Sequence, residues 1–75
     1  MKDEIRIGKM ISDKMEEEGR SVQWLAEKLS CNRSNIYKIY EKSNMDIIQL
    51  LHISRILHHD FFSDISIQTK INDNQ

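Results

Sequence analysis

The stretch SVQWLAEKLSCNRSNIYKIYEK, residues 21–42, decides the fold because it holds two helical patterns separated by a very short break. Ser21 is a good N-cap, and the apolar residues after it recur at helical spacing as far as Leu29. Asn32 then caps a following helix, whose inner side is formed by Ile36, Ile39 and Tyr40. The stretch therefore predicts two short helices joined by a turn of about three residues.

Upstream of this pair, the sequence predicts one longer helix. It runs from about Asp3 to Glu18 and ends at Gly19, which favours the left-handed conformation of a helix stop. Its apolar stripe has helical spacing and consists of Ile7, Met10, Ile11 and Met15.

Downstream of the pair, two more helices are expected. Ser43 and Asp46 stand at the spacing of a capping box, so the next helix should open near Asn44. Its broad apolar face is typical of a central, buried element; the face comprises Ile47, Ile48, Leu50, Leu51, Ile53, Ile56 and Leu57. A last short helix should begin at Asp60 and bury Phe61 and Phe62. The predicted fold class is all-α, with five helices.

The C-terminal residues 65–75 carry a different pattern. Ile65, Ile67 and Ile71 alternate with polar residues, which is a weak strand signal because strands have a period of two. We therefore divide the chain into a domain at 1–64, with the helix pair at 21–42, and a tail at 65–75. The tail is either frayed or a strand that pairs with a second copy of the chain, with Ile67 in the interface.

Composition limits the class of protein. The 75 residues suffice for one domain, and a single cysteine excludes an intramolecular disulfide. No apolar run approaches the ~18 residues of a membrane span, and the start MKDEIRIGK is too charged for a signal peptide. A cytoplasmic protein with no membrane partner is the expectation.

Charge is distributed unevenly along the chain. The formal net charge is −1, but residues 20–42 carry five basic residues against two acidic ones. A run of charge is usually a solvated helix face, and a basic run is also what a polyanionic partner requires. Both interpretations remain open at this point.

The outer face of the second helix of the pair is rich in groups suited to DNA bases. Arg bonds guanine bidentately, Asn prefers adenine, and Lys offers donors to guanine or phosphate. The start of a helix that enters the major groove lies deepest in it. We take as candidates for base contact Arg33, Ser34, Asn35, Tyr37 and Lys38.

The start of the first helix of the pair is a candidate phosphate site. Its free backbone N–H groups and the positive end of its dipole would face a phosphate near Ser21 and Val22. Arg20 and Lys42 are nearby charge partners in the sequence.

The segments IGKMI with the Gly19 stop, WLAEKL, NRSNIYKI, and LLHISRIL followed by HDFF carry a family resemblance. The region from about Ile7 to Phe62 resembles the lambda-repressor-like, Xre-type helix-turn-helix family of phage repressors, Cro proteins and many bacterial antitoxins. The resemblance implies a transcription regulator without catalytic activity. Such a regulator inserts helix 33–41 into the major groove of double-stranded DNA, usually as a homodimer on a palindromic site.

The resemblance also implies site residues. Base contacts would fall on Asn32, Arg33, Ser34 and Lys38, and phosphate contacts near Ser21 and Val22. The chain departs from the family pattern at two positions and in the loop EKSNMD, residues 41–46, where the family often has Gly and Pro. Val22 stands where the family often has Gln, and Ser30 stands where its turn commonly has Gly.

Metal and enzyme functions find little support in the sequence. His58 and His59 are neighbours on a helix and so point about 100° apart, and no ligand at a suitable interval closes a site with them or with His52. The sequence has no glycine-rich phosphate loop and no nucleophile–base arrangement. We expect no enzyme activity, no metal and no cofactor.

The alternative function is a protein-interaction module without a DNA target. On the helical wheel Trp24 points away from the inner residues of its helix, and an exposed Trp is a typical interface anchor. Trp24 packing within the same chain is the equal alternative. The two functions are compatible, since an antitoxin or phage regulator would use one face for DNA and another for a protein partner such as a toxin.

Overall fold

The computed structural model describes residues 5–68, which form five helices and no strand. The expected all-α, five-helix fold is confirmed. In chain order the helices are α1 (Ile7–Glu18), α2 (Val22–Leu29), α3 (Arg33–Tyr40), α4 (Ile47–Leu57) and α5 (Phe61–Gln68). The longest of them has 12 residues, fewer than the ~20 that a helix needs to cross a bilayer, and none in the described part of the chain qualifies as a membrane span.

The core contains one completely buried side chain from every helix. Each of these five is at most 1% exposed, and burial of a side chain of this size contributes about 1.5–3 kcal/mol. They are Ile11, Leu25, Ile36, Ile53 and Phe61. No helix therefore stands outside the packed unit.

The caps that delimit α1, α2 and α3 are those expected from the sequence. Gly19 adopts the left-handed conformation with φ 69°, and its N–H donates to the Glu16 carbonyl. The Ser21 hydroxyl accepts the Trp24 N–H at 3.0 Å, and the Asn32 carboxamide oxygen accepts the Asn35 N–H at 3.3 Å.

Two other helices end in the left-handed conformation without glycine. Ser30 has φ 57° after α2, and His58 has φ 53° after α4. The left-handed conformation that glycine adopts most readily is thus present at Ser30, at the cost of backbone strain of about 1–2 kcal/mol.

The N-terminus of α1 rests on the C-terminal end of α3. The Gly8 N–H donates to the Lys42 carbonyl at 2.8 Å, and the Ile7 N–H donates to the Ser43 carbonyl at 3.3 Å. A Cβ at Gly8 would lie 2.3 Å from the carbonyl oxygens of Ile39 and Tyr40. Glycine is required here because the two backbones approach more closely than any side chain allows.

The start of α4 differs from the expectation. The helix begins at Ile47 and not near Asn44, because the Asp46 carboxylate itself is the cap and accepts the Gln49 N–H at 3.2 Å. Ile47 and Ile48 are 68% and 56% exposed, so the first turn of α4 does not bury the apolar face predicted for it.

The predictions for the two ends of the chain also need correction. α5 continues through Gln68, so both structures predicted for the tail, a frayed end and a strand, are wrong for residues 65–68, which are helical. Ile65 packs against the core one turn after Phe61. The remainder of the predicted tail, with Ile71, lies outside the described residues. At the other end α1 begins at Ile7, whereas the start predicted at Asp3 also lies outside them.

Candidate nucleic-acid interface

α2 and α3 form a closely packed helix–turn–helix. Ala26 is 2% exposed where the helices meet, and the Cys31 N–H donates to the Ala26 carbonyl at 2.9 Å across the turn. Leu25, Ile36 and Ile39 are buried on the inner side. The small residue and the apolar anchors fix the angle between the helices, so the outer side of α3 is left uncovered.

Asn32 is the N-cap of α3, and the outer side of the helix carries the other five side chains proposed for base contact. All are exposed, and Tyr37 is 55% exposed with its ring edge-on to that of Tyr40. They are Arg33, Ser34, Asn35, Tyr37 and Lys38. The structure therefore brings the predicted residues together on one accessible surface, which we call the α3 face.

Asn32 is held by the cap of α3, and this determines what it can offer to a ligand. Its Oδ1 accepts the Asn35 N–H at 3.3 Å and the Ser34 hydroxyl at 2.7 Å. A backbone N–H can only donate, so the oxygen of the Asn32 amide must face it. The amide NH₂ of Asn32 is the part that remains for a base or a phosphate.

The basic side chains of the helix–turn–helix are not neutralised by neighbours. Within residues 5–68, the ion pairs are those of Lys9 with Asp13 and of Lys14 with Glu17 and Glu18, and His59 Nε2 lies 2.7 Å from the Asp64 carboxylate. None of these pairs involves a base of the α3 face or of residues 20–42, although Glu27 and Glu41 lie in the same segment. The positive charge of this region is therefore available to an anion.

The predicted phosphate-contact residues lie at the N-terminus of α2 and after the end of α3. Arg20, Ser21 and Lys42 are exposed, whereas Val22 is half-buried and packs against the core. Because the Ser21 hydroxyl already caps the Trp24 N–H, a phosphate here would meet the backbone N–H groups of Val22 and Gln23. Val22 can therefore offer such a phosphate only its backbone N–H, and not its side chain.

Trp24 packs within the chain. It is half-buried against the core and borders a small cleft with Ile56 and Leu57 of α4. The Arg20 guanidinium lies 4.5 Å from the centre of the Trp24 ring, and the Lys28 ammonium lies 5.7 Å from it. The structure thus shows the intramolecular packing of Trp24, and its role at an interface stays a prediction.

A cleft of about 540 Å³ lies between α3 and α4, beside the α3 face. Its α3 side consists of Asn35, Lys38, Ile39 and Lys42, and its α4 side includes Asp46, Ile48, Gln49 and His52. Sequence reasoning missed the α4 residues and considered His52 only as a metal ligand. The spacing of the α3 residues indicates one stripe, but which turn of α4 faces that stripe depends on packing.

Tyr40 lies beside the α3 face, with its ring edge-on to that of Tyr37. Burial raises the pKa of the Tyr40 phenol, and the adjacent Tyr37 raises it further. The Tyr40 phenol is therefore neutral at physiological pH, and the Tyr37 hydroxyl lies exposed on the α3 face.

No three His, Cys, Asp or Glu side chains within residues 5–68 come together in a way that could hold a metal ion. Ile67, expected at an interface, is 70% exposed on α5.

The chain has no match among protein-family models, curated proteins or solved structures.

Proposed function

We propose that the protein binds double-stranded DNA by inserting α3 into the major groove and acts as a transcription regulator of the Xre type in the cytoplasm. The observation that carries the proposal is the α3 face, on which Arg33 and Lys38 are exposed and unpaired within the described residues. On α1, by contrast, Lys9 and Lys14 lie beside acidic side chains of the same helix. Unpaired cations beside amides and hydroxyls are suited to phosphates and base edges.

The α3 face also suggests a division of roles. Arg33 would bond guanine, and the Asn32 amide and Ser34 hydroxyl would contact neighbouring base edges or phosphates. Arg20, the start of α2 and Lys42 would bind phosphates on either side of the groove and fix the register of the helix.

Selection of bound sequences from a random duplex pool tests this function. We expect enrichment of a short sequence, with half-sites about one helical turn apart if the protein binds as a dimer. Arg33→Ala should lose the enrichment, whereas the matched α1 variant Lys9→Ala should keep it. Absence of enrichment and of any duplex binding at low salt would contradict the proposal.

A second candidate function, association with itself or with another protein, is favoured by an apolar groove of about 520 Å³. The groove is bordered by Ile5, Met45, Ile47, Phe62 and Ile65, and the described residues that line it carry no charge. Ile47 at its rim is 68% exposed, and exposed apolar patches often mark interfaces.

Sedimentation separates self-association through this groove from the binding of a different protein there. A homodimer through this groove predicts that Ile47→Asp is monomeric at concentrations where the unaltered protein is dimeric. The expectation that a partner such as a toxin binds here predicts a monomer in both cases. If Trp24→Ala but not Ile47→Asp dissociated the dimer, the groove would be excluded as its interface.

A further inference from the structure

Two neighbouring clefts lie between α2 and α4, and they share Ile56. One, of about 310 Å³, lies between Lys28 and Arg55, and the other, of about 140 Å³, lies between Trp24 and Leu57. Neither cleft is lined by a residue of the α3 face. We call the region around both clefts the α2–α4 surface; it comprises Trp24, Lys28, Leu29, His52, Arg55 and Ile56.

The floor of the α2–α4 surface is apolar. Trp24, Leu29 and Ile56 pack against the core and are half-buried, so part of each side chain still faces solvent. An apolar side chain of a ligand would remove this area from water, which is favourable. A phosphate or a free ion would gain nothing from such a floor.

The rim of the α2–α4 surface is positive. Lys28 from α2 and Arg55 from α4 are exposed, line the larger cleft, and form no ion pair with any residue at 5–68. His52 lines the same cleft and adds a polar ring. An apolar floor between two available cations favours a ligand that carries carboxylates next to an apolar group.

The acidic side chains nearby leave this positive charge in place. α4 contains no acidic residue, and Glu27 of α2 lines neither cleft and accepts a hydrogen bond from the Gln23 amide at 3.0 Å. Glu18 borders the smaller cleft, but its carboxylate lies 3.4 Å from the Lys14 ammonium. The α2–α4 surface is therefore complementary to an acidic ligand and not to a basic one.

We propose that the α2–α4 surface binds an acidic segment of another protein, with carboxylates of that segment on Lys28 and Arg55 and an apolar side chain over Ile56. The proposal does not rest on DNA binding, because the α3 face contributes no residue to this surface. Arg20 remains a candidate phosphate contact, and its charge is not needed here. The α2–α4 surface is also distinct from the uncharged groove near Ile47.

A protein segment fits the α2–α4 surface better than a nucleic acid does. Single strands bind to open aromatic rings on which their bases stack. The Arg20 guanidinium and the Lys28 ammonium lie 4.5 and 5.7 Å from the centre of the Trp24 ring, so a base would have to displace a cation to stack there. Carboxylates can bind the same cations without reaching the ring.

A second copy of the chain fits the surface less well than a different protein. Its exposed acids near the end of α1, Glu16 and Glu17, would have to contact the α2–α4 surface of the next copy. Such a contact joins two different surfaces, so each pair of copies leaves one of each unused and the association continues as an open chain. A closed dimer does not arise in this way.

Selection from a phage library of random peptides of about 12 residues, with the full chain as bait, tests the proposal. We expect the enriched peptides to combine acidic residues with a large apolar one. Fluorescence anisotropy of an enriched peptide should show about tenfold weaker binding to the double variant Lys28→Gln with Arg55→Gln. No enrichment, or enrichment of peptides without acidic residues, would overturn the proposal.

A matched double variant locates the binding. Arg33→Gln with Lys38→Gln also removes two exposed cations, but from the α3 face, and should change the affinity for the peptide less than about twofold. The conservative pair Lys28→Arg with Arg55→Lys should keep the affinity if the charges act as proposed. A loss of peptide binding in the α3 pair, without a loss in the Lys28→Gln with Arg55→Gln pair, would overturn the assignment to the α2–α4 surface.

Two further measurements test the other occupants. A duplex of about 20 base pairs should leave the enriched peptide bound, and displacement of the peptide would assign the surface to nucleic acid. In sedimentation without peptide, Lys28→Gln with Arg55→Gln should have the same oligomeric state as the unaltered protein. If this variant dissociated an oligomer, the occupant would be a second copy and the proposal of a different protein would be wrong.

Discussion

α1 and α3 are both charged surface helices, but their charges have different surroundings. On α1, Lys9 lies 3.3 Å from Asp13, and Lys14 lies 3.5 and 3.4 Å from Glu17 and Glu18. On α3, Arg33 and Lys38 form no ion pair with any residue of the described chain. The acids beside Lys9 and Lys14 offset the positive field of these lysines, so the distribution of charge says more about DNA binding than the net charge of −1 does.

The two helices also differ in what their N-termini do. The first turn of α1 is buried against the carbonyl groups of Lys42 and Ser43. The first turn of α3 is closed by the Asn32 cap and stays exposed. α1 therefore packs against the end of α3, whereas α3 leaves its own outer face exposed. Variants on the two helices test this difference.

The largest expected effect is on stability, at the contact between the two helices. Gly8→Ala should lower the free energy of unfolding by about 3 kcal/mol, because its Cβ would lie 2.3 Å from backbone carbonyl oxygens that cannot move independently. Urea denaturation measures this change in the free energy of unfolding. Gly19→Ala is the matched control, with nothing within 4 Å of its Cβ and only the strain of φ +69°, about 1 kcal/mol. Equal losses for the two variants would mean that α1 does not depend on close contact with α3.

The next effect is on DNA affinity. Arg33→Gln should weaken binding to a selected duplex about tenfold, as expected when one bidentate contact with guanine is lost. Fluorescence anisotropy with a labelled duplex measures the change. Lys9→Gln removes a charge that is already paired and should change affinity less than twofold. A larger loss of affinity for Lys9→Gln than for Arg33→Gln would contradict the claim that α3, and not α1, contacts DNA.

A smaller effect is expected at the cap of α3. Asn32→Ala leaves the Asn35 N–H without its side-chain acceptor and should cost about 1 kcal/mol of stability. Asn32→Asp keeps an acceptor and should retain most of that stability, but it replaces the outward NH₂ by a carboxylate and should weaken DNA binding. Thermal unfolding and anisotropy on the same samples separate the two roles. If Asn32→Asp bound DNA as well as the unaltered protein, the Asn32 amide would make no contact.

The smallest effect is the pH dependence from Tyr40. Its pKa is raised above the ordinary value of 10.0, so the folded protein holds the phenol proton more tightly than the unfolded chain. This contribution to stability is complete below the unfolded pKa and is lost as pH rises through the folded pKa. Urea midpoints at about pH 8 and about pH 11 should differ more for the unaltered protein than for Tyr40→Phe. Equal differences would show that Tyr40 titrates normally.

Local signals in the sequence predicted the helix–turn–helix well. Ser21 and Asn32 act as caps, and Gly19 stops α1, because each of these conformations depends on neighbouring residues alone. The exposed residues of α3 were also predictable from the wheel. A helix of eight residues with a clear inner stripe fixes its outer face wherever its partners lie.

Features that depend on distant residues were not predictable. Ser43 and Asp46 have capping-box spacing, yet the Ser43 carbonyl accepts from Ile7, far away in the sequence, and the helix starts later. The need for Gly8 arises only when α1 meets α3. Ile65 and Ile67 alternate like a strand, but Ile65 lies one helical turn from Phe61, and packing of both on the core selects the helix. A short apolar pattern is compatible with both the helical and the strand period, and tertiary contacts then decide which of the two structures forms.

The salt dependence of duplex binding tests the central claim most directly, because it counts the cations that replace counterions. Anisotropy at several salt concentrations should give a linear fall of log affinity with log salt, and Lys38→Gln should reduce the slope by about one unit. Lys9→Gln should leave the slope unchanged. Absence of binding at about 50 mM salt, or identical slopes for Lys38→Gln and Lys9→Gln, would contradict the claim that the unpaired charges of α3 contact DNA.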